Sequence, residues 1–147
     1  MTRSRPGADR VGSSAGPTEG ATVRLDTLAQ ELAVCRLDGD SPVPSWLAGE
    51  LTAVVRRRGE CALVCAADAV PAEGVEHAGP YRALLVAGQL DLDAVGILHA
   101  LTGPLAEAGV PILTVSTYDT DVLLVPAERL EDAIAALTDA GHELTAA

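Results

Sequence analysis

The sequence predicts an α+β fold of two tandem modules, the second a complete β-α-β-β-α-β unit and the first a degenerate copy of it. Three observations carry that expectation. Apolar patterns of strand and helix period alternate in that order from residue 82 onward. Two hairpin-like segments repeat at an offset of 60 residues. A chain of 147 residues with 48% hydrophobic content can bury the core of one domain or of two small packed modules.

Residues 1–28 are assigned to a disordered tail, because up to residue 24 the chain is rich in Gly, Ser, Thr, Pro, Arg and Ala without apolar periodicity. The degenerate module, 29–80, opens with a strand at 31–37 (ELAVCRL) and a turn over Asp38-Gly39-Asp40-Ser41-Pro42. Runs at 51–56 (LTAVVR) and 61–66 (CALVCA) flank the polar stretch Arg57-Arg58-Gly59-Glu60 and read as a hairpin. The stretch from Pro71 to Pro80 reads as a connection.

The complete module, 81–147, begins with a strand at 82–88 (RALLVAG), after which Asp91 or Asp93 caps a helix over 93–108. Ile97, Leu98, Leu101 and Leu105 form its buried face, Pro104 should kink or loosen the last turn, and Gly109 should end it. Strands at 111–117 (PILTVST) and 121–125 (DVLLV) flank Tyr118-Asp119-Thr120. A helix over 127–140 carries Leu130, Ile134 and Leu137 on one stripe, and His142 to Thr145 makes a last short strand. This is the split βαβ order of ferredoxin-like domains. Strands 82–88 and 112–117 are expected to lie side by side. At the offset of 60, Val55 aligns with Val115, Leu63 with Leu123, Val64 with Leu124 and Val70 with Leu130.

All ten basic residues are Arg, and from Leu25 onward six of them stand against 19 acidic residues in a chain of net charge −11. Such a field repels phosphate backbones and acidic lipid surfaces, so neither nucleic acid nor membrane is an expected partner. No apolar run approaches the roughly 18–20 residues of a membrane-spanning helix, and the N-terminus has no apolar signal core, so a cytoplasmic location is expected. The three cysteines, Cys35, Cys61 and Cys65, lie in aliphatic runs and read as small buried hydrophobes. His77, His99 and His142 have no ligand-like spacing, so no metal or other cofactor is called for. Trp46 suits core or inter-module packing. Arg56, Arg57 and Arg58 suit an exposed basic hairpin, the alternative being a clasp for an anionic ligand or a partner's acidic surface.

Two segments carry candidate chemistry. GQLDLDAVGI, residues 88–97, joins a strand end to a helix N-terminus, whose free N–H groups can receive a carboxylate, and Gly96 permits close approach. STYDTD, residues 116–121, gathers Ser116, Thr117, Tyr118 and Thr120 with Asp119 and Asp121, carboxylates able to pair an ammonium group. Each has a plainer reading, as a helix cap and as a hairpin turn. Placed together, a carboxylate site and an amine site suit an amino acid.

Leu90-Asp91 before a helix, Gly96, the Leu-Ala-x-Ala-Gly helix end at 105–109 and the STYDTDxLLV hairpin resemble an ACT domain. The likeness runs from Leu84 to Val125 and more faintly over about 30–145. It points to the tandem ACT group that includes CASTOR-type amino-acid sensors and small bacterial relatives. That resemblance implies an ACT-like fold and a small ligand, usually an amino acid, bound at a module interface. Carried over by position, it implicates Asp91, Leu92, Val95, Gly96 and Ile97 together with Thr117, Tyr118, Asp119 and Asp121.

The function expected is therefore a non-catalytic regulatory sensor of an amino acid or similar small zwitterion, acting as a homodimer on a separate regulated protein. Two alternatives stay open. One is a small enzyme on a ferredoxin-like scaffold, with Cys35, Cys61, His99, Tyr118 or Asp119 as candidates, and the other a purely structural dimerisation module.

Overall fold

A computed structural model describes residues 22–88 and 95–146, which form one mixed sheet with two α-helices. The elements are β1 (Arg24–Thr27), β2 (Leu32–Leu37), β3 (Ala53–Arg57), β4 (Glu60–Ala66), β5 (Glu76–Val86), α1 (Ile97–Glu107), β6 (Leu113–Ser116), β7 (Asp121–Pro126), α2 (Leu130–Asp139) and β8 (Glu143–Ala146). The architecture is the expected α+β one, a ferredoxin-like βαββαβ unit from β5 to β8 preceded by a helix-poor copy from β2 to β5.

The repeat holds at the level of individual backbone pairs. In the β3–β4 hairpin Ala53 faces Val64, Val55 faces Ala62 and Arg56 faces Cys61; in the β6–β7 hairpin Leu113 faces Leu124, Val115 faces Val122 and Ser116 faces Asp121. A 3₁₀ turn follows each, at Ala67–Ala69 and Ala127–Arg129. The strands before the hairpins correspond at a shorter spacing, since β2 starts against β4 at Leu32–Ala66 and β5 against β7 at Tyr81–Pro126. The first copy lacks an equivalent of α1, and an irregular segment carrying Trp46 and Leu47 covers its sheet instead.

Four expectations are corrected. The strand β1 lies inside the stretch assigned to the tail; Leu25, fully buried, is the one strong apolar residue of its four, which leaves no alternation to read. β1 inserts between β5 and β8, antiparallel to the first and parallel to the second. Second, the supposed connection up to Pro80 contains half of β5, whose residues 76–81 pair with β2 and whose residues 81–86 pair with β7 and β1. Its first half is exposed and carries Gly79 and Pro80, so neither pattern nor composition marks a strand; the register shifts between Leu32 and Val34, which accommodates a proline without an N–H. Third, β5 and β6 are not neighbours, because β7 returns between them. Fourth, α1 starts at Ile97, four residues later than expected, with Gly96 as its N-cap at φ 87°. Asp91 and Asp93, the expected caps, lie outside the described residues.

Three apolar clusters follow from the strand alternation. On the helix side of the second copy, Leu25, Leu84, Leu101, Leu105, Leu123 and Leu137 are fully buried, each contributing about 1.5–3 kcal/mol. On the same side of the first copy, Cys35, Cys61, Leu63 and Cys65 pack under Trp46, Val70 and Val75. The helix-free face is shared: Ala83, Val122 and Leu124 of the second copy cluster with Leu32 and Val64 of the first, backed by Val34, Leu51 and Ala53. The two copies therefore share one of the three clusters.

Candidate functional site

The STYDTD segment folds as a tight turn whose organiser is Thr117. Its Oγ1 accepts the N–H groups of Asp119 and Thr120 at 3.2 and 3.1 Å and donates to the Thr120 carbonyl at 3.2 Å. The Thr117 N–H also donates to that carbonyl, at 2.8 Å. Both readings of this segment therefore meet in one object, a hairpin turn that displays carboxylates. Asp121, half-buried at the start of β7, accepts the Ser116 hydroxyl at 2.7 Å. Tyr118 is 42% exposed, and Asp119 is exposed.

The turn is tied to the end of β5. Thr120 Oγ1 donates to the Val86 carbonyl at 2.7 Å across a pair of strands that would otherwise end there. Beyond Val86 the chain passes through Gly88, and it is next described at Val95 and Gly96, where α1 begins. Gly96 in its left-handed conformation offers no side-chain cap, and the first amide bonded within the helix is that of Ala100, to Gly96 O at 2.9 Å. The N–H groups of Ile97, Leu98 and His99 thus precede the helical ladder.

Of the nine residues implicated, Val95, Gly96 and Ile97 lie at the start of α1, and Thr117, Tyr118, Asp119 and Asp121 lie in the turn; Asp91 and Leu92 fall outside the described residues. Thr120 and Ser116, which orient the turn and its carboxylate, were legible only as generic hydroxyls. Among the described residues no three His, Cys, Asp or Glu side chains group to hold a metal ion, and no helix is long and apolar enough to cross a membrane.

The cysteines are buried and unbridged. Burial, with Cys65 beside it, pushes the Cys35 thiol up to about 12, and burial raises Cys65 as well.

Comparison with known proteins agrees with this fold. Residues 76–139 match the ACT domain family, and residues 30–73 match a family described as an N-terminal domain. No curated protein matches. A solved protein of Agobacterium tumefaciens is 29% identical with a TM-score of 0.80, covering 86% of this chain and 95% of that one. A Vibrio cholerae protein described as of unknown function and a possible transport protein is 23% identical with a TM-score of 0.68, covering 81% and 90%. The regulatory subunit of aspartate kinase from Thermus flavus is 15% identical with a TM-score of 0.56, covering 82% and 97%; these last two are likenesses of fold. Fold and sequence together define an ACT-like module. Residues 76–139 match an ACT domain, and the helix-poor copy precedes them.

Proposed function

We propose that this protein senses an amino acid or a similar small zwitterion and passes its occupancy, through a module or subunit interface, to a separate regulated protein. The observation that carries the reading is the Thr120–Val86 hydrogen bond, which holds an acidic turn beside the strand end leading to α1. A ligand carboxylate suits the N–H groups of Ile97, Leu98 and His99, which precede the helical ladder, and an ammonium group suits Asp121 and Asp119. Asp91 and Leu92, outside the described residues, enter the proposal only through the resemblance to the ACT family. A homodimer is part of the proposal, supported by exposed Val54 and Val55 on edge strand β3 and exposed Leu113 on edge strand β6.

The catalytic alternative is less well supported. Cys35 is buried as a protonated thiol, the opposite of an activated nucleophile. His99 is exposed on α1.

A thermal-shift screen of the full chain against the common amino acids, with calorimetry on any hit, tests the reading. A ligand at about a hundred times its dissociation constant stabilises the fold by about 2.7 kcal/mol, several degrees at this size. A selective hit is expected, and uniform silence overturns the proposal.

A further inference from the structure

We propose a second ligand site, for an amine carried on an apolar or aromatic body, in the cavity where β5 passes from one copy to the other. The cavity has a volume of about 560 Å³, within the range of small-molecule sites. It lies at the middle of β5 and at the end of β7 opposite to the STYDTD turn. Tyr81 pairs with both Leu32 and Pro126 there, whereas Leu85 pairs with Val122 next to the turn. Four residues of strand separate the two ends, roughly 13 Å.

The lining has a definite chemistry. Pro80, Pro126 and the half-buried Tyr81 supply apolar walls and an aromatic ring. Glu31, from the segment before β2, and Glu128, from the turn after β7, supply two carboxylates from parts of the chain far apart in sequence. Neither carboxylate has a hydrogen-bond or ion-pair partner among the described residues.

The neighbouring cations are engaged elsewhere. Arg82 Nε donates to the Leu28 carbonyl at 2.9 Å. Arg129 Nε pairs with Asp132 at 2.8 Å, and its terminal nitrogens donate to the carbonyls of Gly109 and Ala108 at the end of α1. An anion would therefore meet two uncompensated negative charges. An ammonium group gains both carboxylates, and its apolar body can lie on Tyr81 and the prolines. Gly79 belongs to the same wall: a Cβ there would come within 3.0 Å of the Leu32 carbonyl and 3.3 Å of the Tyr81 ring.

Phenethylamine is a suitable probe, with phenethyl alcohol as its uncharged counterpart, in a titration of the full chain followed by backbone amide shifts. Saturable shifts are expected at Tyr81, Ala127 and Glu128, with the alcohol at least tenfold weaker. Glu31→Gln and Glu128→Gln should each weaken phenethylamine about fivefold, the scale of one exposed charge pair. Asp121→Asn should leave it unchanged. Equal binding of the alcohol, unaltered affinity in the Glu31→Gln/Glu128→Gln double variant, shifts confined to 116–121, or no saturation by about 10 mM each overturns the proposal. Apart from shifts confined to 116–121, which report the turn, these outcomes do not bear on the amino-acid site, which Asp121→Asn tests separately.

Discussion

His142 Nε2 lies 3.0 Å from the carbonyl oxygen of Ala100, the one acceptor in α1 that Pro104 leaves without its helical donor. On its other side His142 Nδ1 accepts the Val23 N–H at 3.1 Å, which fixes the tautomer, because a nitrogen that accepts there leaves the proton on Nε2. One imidazole, 6% exposed, thus joins the residue before β1, the start of β8 and the interior of α1. The proline that should loosen the helix instead frees a carbonyl for a long-range contact.

His142→Phe should cost about 2–4 kcal/mol, since it leaves a buried N–H and a freed carbonyl without partners. Pro104→Ala restores an N–H facing Ala100. It should therefore stabilise the His142→Phe protein by about 1 kcal/mol more than it stabilises the parent. Urea unfolding of the four proteins measures the coupling, and an equal effect of Pro104→Ala in both backgrounds would show that the carbonyl is not shared.

Asp121→Asn keeps an oxygen for the Ser116 hydroxyl but removes the charge offered to an ammonium group. Affinity for the amino acid found by screening should fall about tenfold, equivalent to 1.4 kcal/mol, with the melting temperature of the free protein unchanged. Calorimetry reads the first quantity and a thermal melt the second. Unchanged affinity would remove Asp121 from the site.

Much of this fold was legible because strand alternation and helical spacing survive in aliphatic residues. Leu63 and Leu123, or Val55 and Val115, mark the two hairpins at a spacing that the backbone pairing reproduces. What escaped was set by backbone or by partners distant in sequence. β1 is recruited by the edge of β5 and by β8, and one buried leucine among four residues cannot announce that. Glu76–Pro80 pairs through main-chain groups while its side chains stay exposed. The acidic run before α1 advertised a cap, yet the turn into the helix uses the left-handed freedom of Gly96. At the site, the residue types that offer charge were recognisable, whereas the role of Thr120 depends on Val86, 34 residues away.

The cysteine cluster makes stability depend on alkaline pH. Burial and the neighbouring Cys65 raise Cys35 from an ordinary 9.0 to about 12. Below 9.0 the thiol is protonated in both folded and unfolded chains, so its contribution is fully present; above 9.0 only the unfolded chain releases the proton, and stability falls as pH climbs toward about 12. Urea midpoints should therefore decline between about pH 9 and pH 10.5, and the decline should be shallower in Cys35→Ala. An identical slope in that variant would assign the effect to other groups.

Thr120→Val separates the geometry of the turn from its charge. The substitution preserves volume, keeps both carboxylates and leaves the three bonds to Thr117 in place, since those use main-chain groups of Asp119 and Thr120. It deletes the side-chain bond from Thr120 to the end of β5, at a cost of about 1 kcal/mol. In the proposed site, a turn released from Val86 no longer presents Asp121 and Asp119 in one fixed position, so a zwitterion must order the turn on binding. Affinity for the screened amino acid should drop by more than the stability loss explains, whereas a ligand lacking the ammonium group should be little affected. Calorimetry of both ligands, beside a melt of the free variant, decides: equal losses for the two would mean that the Thr120–Val86 bond serves the fold and not the site.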